Sequence, residues 1–183
     1  MKVKEKIQFG QYYVDAEGKV LEPISWIVLS KTKEEMLLIS EQIIDYMCFS
    51  SSNSNDWDRS DIKKWLNEEF VNIAFNKEEK ERILEADNNE LVSLLDFDSY
   101  FNSSYFPNYK SLKATYSDYA KEKTKNIYGK VTSYEYGFYW LKSPNPDDKK
   151  NIYVFHVCNT GKLNEYEQAC WKDGVRPVIR IKI

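Results

Sequence analysis

Apolar positions along this 183-residue chain follow two periods, one near two residues and one near three and a half. Ile7, Phe9 and then Tyr12-Tyr13 open the chain with the half-alternation of a short strand. Residues 25–30 and 35–40 are apolar, partly β-branched runs, and the polar Lys31-Thr32-Lys33-Glu34 between them predicts a hairpin. Residues 48–55 form a Ser/Asn-rich loop too polar for a core. The period then changes. Ile62, Trp65, Leu66, Phe70 and Ile73 recur at three- and four-residue intervals, which predicts a helix that Ser60 or Asp58 can cap. Asn76 followed by Glu79 is a capping-box pattern and opens a second, short helix through about Ala86.

Residues 91–95 read as a buried strand and 96–101 as a helical turn or more, followed by an irregular, aromatic-rich stretch at 102–113. Residues 115–123 form a further short helix with Tyr116, Tyr119 and Ala120 on one side. A strand at 137–142 ends at Ser143-Pro144, and Asn145-Pro146-Asp147-Asp148 is a turn. Residues 152–158 and 162–166 flank Asn159-Thr160-Gly161 as a hairpin. In the closing strand Val175, Pro177, Ile179, Ile181 and Ile183 share one face, and Val178, Arg180 and Lys182 the other. Strands at both ends, helices between them and no convincing linker predict one α+β domain over residues 1–183.

Composition narrows the chemistry. The chain carries 14 Tyr, 9 Phe and 5 Trp against one His, 3 Cys, 6 Gly and 5 Pro. No apolar run is long enough for a membrane span, so no membrane partner is expected. One His cannot build a His-rich metal centre, and the carboxylate pairs at Asp56/Asp58, Asp58/Asp61 and Asp147/Asp148 lack the regular ligand series of a calcium loop. No metal and no cofactor is therefore assigned. Within a net charge of −3, residues 41–98 are acidic and residues 101–183 basic. The lysines are dispersed, so the preferred reading is mutual neutralisation within one domain, and nucleic acid is not an expected partner. Basic residues at the start with no apolar stretch behind them are not a secretory signal; a cytoplasmic protein is expected, or a secreted one if a leader has been removed. Cys48, Cys158 and Cys170 have no C-x-x-C spacing and are expected as reduced, mostly buried thiols, with a Cys158–Cys170 bridge left open.

Several motifs occur in a fixed order: Trp26-Ile27-Val28-Leu29, then Trp65-Leu66-Asn67 with Phe70, then Tyr139-Trp140-Leu141-Lys142-Ser143-Pro144, then Gly174-Val175-Arg176-Pro177. The series resembles a domain family of unknown function found in many bacterial proteins, whose members carry W-x-V-L, W-L-N-x-x-F, W-L-R-S-P and G-V-R-P. Lys142 departs from the usual Arg, and the Tyr/Asn/Ser run from 100 to 109 is unusual. The resemblance implies no activity. A second resemblance is to C-type-lectin-like folds, including the formylglycine-generating group. It implies a mixed sheet with paired first and last strands, which Ile7-Gln8-Phe9 and residues 179–183 suit. The formylglycine-generating enzymes need two active cysteines close together near the C-terminus, and only Cys170 lies there.

Two functional readings follow. Aromatic residues in polar, loop-like settings, Tyr105, Tyr109, Tyr134, Tyr136, Tyr166 and Trp171, together with Asn164, have the composition of an adaptable recognition surface; Arg176 is a structural clamp or an anion contact. They suggest a non-catalytic binding or interaction module whose ligand is a protein, a glycan or another small polar molecule. The alternative is a thiol-dependent enzyme built on Cys158, His156 and Cys170, since Cys158 and His156 share a strand face. No oxyanion-hole motif accompanies them, and no catalytic residue is assigned.

Overall fold

The computed structural model describes residues 4–86, 90–125 and 133–183; Lys2 of the basic start lies outside them. The strands, in chain order, are β1 (Lys6–Tyr13), β2 (Leu21–Lys31), β3 (Glu35–Ser40), β4 (Asp45–Cys48), β5 (Val92–Leu94), β6 (Tyr139–Pro144), β7 (Tyr153–Val157), β8 (Leu163–Gln168), β9 (Lys172–Val175) and β10 (Pro177–Lys182). They form two five-stranded sheets, one in the order β1-β2-β3-β10-β5 and the other β4-β9-β6-β7-β8. Every pairing is antiparallel except β6 with β9, which run parallel where Tyr139 faces Gly174. With a few short helices between the strands this is an α+β fold. Both predicted hairpins form: Val28 pairs with Leu38 in β2–β3, and His156 with Asn164 in β7–β8.

The ends of the chain do not pair with each other. The first and last strands share a sheet, but β2 and β3 lie between them. Burial explains the order. Pro177, Val178 and Ile179 are buried on successive faces, as a strand inside a sheet must be, whereas β1 exposes Lys6, Gln8 and Gln11 and suits an edge.

The helical period at 61–74 yields α1 (Asp61–Trp65), a π turn (Leu66–Phe70) and α2 (Val71–Ala74), with Ser60 Oγ accepting from the Lys63 N–H at the cap. Ile62, Leu66 and Phe70 are fully buried and meet Phe9, Trp26 and Trp140 in one core cluster. A second cluster, including Ile39, Ile43, Tyr139, Leu141, Phe155 and Val178, lies on the other side. Asn67 explains the W-L-N motif. Its amide donates to the Lys63 and Val92 carbonyls at 3.0 and 2.9 Å, and its Oδ1 accepts from the Leu91 and Val92 N–H groups at 2.8 and 3.0 Å. This side chain takes up the free edge of β5.

The capping box on α3 (Lys77–Arg82) forms as the spacing predicts, with Asn76 and Glu79 bonded reciprocally. The helix stops at Arg82 rather than near Ala86. Ile83 bridges Ile181, and the Leu84 N–H donates to Arg180 O at 2.7 Å, so the chain joins the sheet instead. Two further helices follow: α4 (Phe97–Phe101), capped by Asp96, and α5 (Asp118–Lys123), capped by Ser117. Residues 115–116 are drawn out of the predicted helix by hydrogen bonding to Ile43.

Asn67→Ala leaves four backbone groups without this partner. It is expected to lower the unfolding free energy by about 3 kcal/mol in urea denaturation, because each buried polar group stranded this way costs roughly 1–3 kcal/mol. Asn67→Asp, which keeps only the acceptor half, should fall in between.

Candidate functional site

The single imidazole of the chain lies in the second sheet. Strand alternation turns His156 of β7 inward with only 4% of its surface exposed, and places Cys158 two residues on over the same face. Its Nδ1 lies 2.6 Å from Oδ2 of Asp173, a buried carboxylate on β9. The strand between them, β6, allows this reach because its neighbour on β9 is Gly174. A Cβ at that position would collide with the Phe138 carbonyl and with Ile43. On the other side Nε2 lies 3.8 Å from Oε2 of Glu167 and 3.9 Å from the Cys158 Sγ. Phe138 stacks on the imidazole at 6.0 Å, and Trp140 tilts against it at 6.3 Å.

These charges set the protonation state. Burial opposes a positive imidazole, but the hydrogen bond and charge of Asp173, the Cys158 contact and the charge of Glu167 outweigh it, and the pKa of His156 is pushed up to about 10. Burial also raises Asp173, with His156 and the Gly174 N–H pulling it back down. Glu167 is raised chiefly by burial, against the pull of His156. With its pKa so far above the ordinary value, the ring keeps its proton at neutral pH and is an imidazolium beside Asp173 and Glu167. A ring that keeps its proton donates hydrogen bonds and cannot take a proton from a nucleophile, so its chemistry here is that of a fixed cation.

The pair floors a cavity of about 200 Å³. Tyr46, Tyr116, Tyr134 and Phe138 are its aromatic lining, and Asn164, Glu167 and Lys172 add polar groups of both kinds. Of the residues singled out by composition, Tyr134 and Asn164 come together here. The others are dispersed. Tyr105 lines a separate cavity beside α4. Tyr109 lies beneath the Lys162 ammonium and Tyr136 beneath that of Lys113. Tyr166 packs edge-on against Tyr153, and Trp171 is exposed at the turn between β8 and β9. Arg176 is 1% exposed: Nε donates to Ser40 O at 2.9 Å, and Nη1 to Leu112 O and to the Tyr139 hydroxyl at 2.9 and 3.1 Å. It serves as a clamp inside the domain and does not reach a ligand face.

Asp173, Glu167 and the tyrosines at 46 and 116 were not legible as site residues. The only signal was indirect: a charged residue next to Gly174-Val175 in a strand otherwise buried. Among the described residues, no group of three or more His, Cys, Asp or Glu is placed to hold a metal, and no helix is long and apolar enough to cross a membrane. The three cysteines are free, Cys48 and Cys158 half-buried and Cys170 exposed, so the Cys158–Cys170 bridge is not made.

Residues 33–183, which include the imidazole, its carboxylates and the Arg176 clamp, match a domain of unknown function, DUF6273. The chain belongs to this family. Of the motifs that carried the resemblance, Trp26–Leu29 lies outside the matched residues; the other three lie within them and build structural parts here: the Asn67 latch, the Trp140 wall, the Gly174 approach and the Arg176 clamp. No curated protein and no solved structure matches the chain significantly.

The raised pKa of His156 has a testable sign. A folded-state pKa above the ordinary 6.5 contributes stability that is complete below pH 6.5 and is lost as pH rises through about 10. Raised carboxylates act in the same direction. Urea denaturation should find the unfolding free energy of the protein falling over that window by a few kcal/mol more than that of His156→Gln.

Proposed function

We propose that this DUF6273 domain is a non-catalytic binding module that takes a small, hydroxyl-rich polar ligand, such as the terminal unit of a glycan, into the cavity over His156 and Asp173. The observation that carries the reading is the meeting of four aromatic side chains with the buried, hydrogen-bonded His156–Asp173 pair in one cavity of about 200 Å³. Aromatic rings offer flat apolar area at little entropic cost, and a few fixed polar groups set orientation. His156 and Lys172 donate, Glu167 accepts, and Asn164 does both, which suits a ligand whose groups alternate between donor and acceptor. The positive and negative side chains balance, so a ligand without net charge is favoured. The scaffold is proposed to be a departure from the C-type-lectin-like plan, keeping its Trp strand, Asn/Gly hairpin and closing strand but with β2 and β3 between the first and last strands; such a scaffold does not by itself name a ligand.

A second reading is favoured by one observation, the 3.9 Å approach of Cys158 Sγ to His156 Nε2 with Asp173 behind the ring. That order of groups is the one a thiol nucleophile uses. Against it stand a sequence without an oxyanion-hole motif and a thiol that does not line the cavity.

The two readings separate experimentally. Saturation-transfer NMR with N-acetylglucosamine and the methyl glycosides of glucose, galactose and mannose should detect binding of at least one. Tyr134→Ala and Asn164→Ala should each weaken it by about fivefold to tenfold, the effect of one lost contact, and Cys158→Ser should leave it unchanged. No transfer from any of the sugars would sink the binding proposal. Rapid iodoacetamide labelling of Cys158 that slows in His156→Gln would favour the thiol reading.

A further inference from the structure

One wall of the cavity over His156 is assembled from two separate elements. Tyr46 lies on β4, whereas Tyr116 precedes the Ser117 cap of α5 and Thr124 closes that helix. Backbone bonds tie the two at one end: the Ile43 N–H donates to Thr115 O and the Ser117 N–H to Ile43 O, both at 2.9 Å. At the other end the tie is an ion pair. Lys123 Nζ, near the end of α5, lies 2.5 Å from Oδ1 of Asp45 on β4. Strand alternation turns Asp45 away from the face that carries Tyr46, and neither Asp45 nor Lys123 lines the cavity. The pair therefore stands behind the wall rather than in it.

The two charges are unequally exposed. The Asp45 side chain keeps 2% of its surface and that of Lys123 37%. The Tyr12 hydroxyl donates to Oδ2 of Asp45 at 2.7 Å and the Tyr46 N–H to Oδ1 at 2.6 Å, but both are neutral donors. Without the ammonium the carboxylate would be a buried charge lacking its counter-ion, a state relieved only by letting water in. We propose that the Asp45–Lys123 pair is a positioning device for the cavity, holding α5 on β4 and so fixing the Tyr46, Tyr116 and Thr124 wall against which a guest packs. The proposal rests on the reading of this cavity as a binding site. Loss of the Lys123 charge admits water by lifting α5 from β4, and Tyr116 and Thr124 move with the helix. The displacement passes to a second ring of the lining, because the Phe138 N–H donates to the Tyr116 hydroxyl at 3.1 Å.

The test is amide hydrogen exchange on Lys123→Met, which keeps the apolar stem and removes the charge. Ile43 and Ser117 report on the wall, and Leu38 and Ile39, in the middle of the first sheet, report on the fold as a whole. Exchange at Ile43 and Ser117 should quicken by about tenfold beyond any change at Leu38 and Ile39. Asp45→Asn combined with Lys123→Met leaves no charge to hydrate and should bring the rates back to within about threefold of the native protein. N-acetylglucosamine or whichever methyl glycoside the native protein binds should bind Lys123→Met about fivefold more weakly, the effect of one displaced contact. Equal acceleration at all four amides would make the pair a general stabiliser and overturn the inference. So would an unchanged wall, a double variant that exchanges as fast as Lys123→Met, or a sugar that Lys123→Met binds as well as the native protein does. If the native protein binds none of the sugars, the binding proposal falls, and the exchange rates alone decide whether the pair positions the wall.

Discussion

The guanidinium of Arg176 holds the two sheets in register. The chain leaves the second sheet at Val175 and enters the first at Pro177, so one residue forms the whole crossing. Its side chain grips Ser40 at the end of β3, Leu112 in the 3₁₀ turn Tyr109–Leu112 and the hydroxyl of Tyr139 on β6. Among the described residues no carboxylate pairs with it, and Nη2 has no partner. A buried charge held by carbonyls and a ring face, here Tyr139 at 5.2 Å, tolerates little change of geometry. Lysine could not replace it, because only a planar fork reaches three acceptors in different directions. A residue that sequence composition offered as a ligand contact is better understood as the joint of the fold.

The features written in local periodicity were readable in advance. The β2–β3 and β7–β8 hairpins, the capping box of α3, the apolar face of Ile62, Leu66 and Phe70, and the shared face of His156 and Cys158 depend on neighbours a few residues apart. The strand order depends on contacts between distant segments, and the alternation of β10 does not say which strands will flank it. The same limit hid the partner of His156. Asp173 lies on β9 and meets the ring only because β6 runs between them with Gly174 at the close point. Loop polarity marked Tyr109, Tyr166 and Trp171 as exposed, and they are, but polarity carries no information on convergence.

Holding a lone histidine charged at neutral pH is an unusual use of the most versatile titrating side chain. Most environments leave an imidazole poised near neutrality; here two carboxylates remove that responsiveness and make it a fixed donor. Such a group resembles a small arginine set at a depth that arginine's length would overshoot. Glu90, just before β5, is a second buried carboxyl side chain; it accepts from the Trp57 indole and lies between the Lys63 and Lys142 ammonium groups.

The interior position of β10 has a consequence for synthesis. On the ribosome β1, β2 and β3 emerge first and can form their meander, but the open side of β3 has no partner until residues 177–182 have been made. Until then Leu37, Leu38 and Ile39 present an apolar strand with free backbone groups, an invitation to pair with the wrong chain. The placement of a late segment inside a sheet makes completion of this fold wait for residues 177–182. A nascent chain stalled before residue 177 would therefore be a substrate for chaperones or proteases rather than a smaller version of the domain.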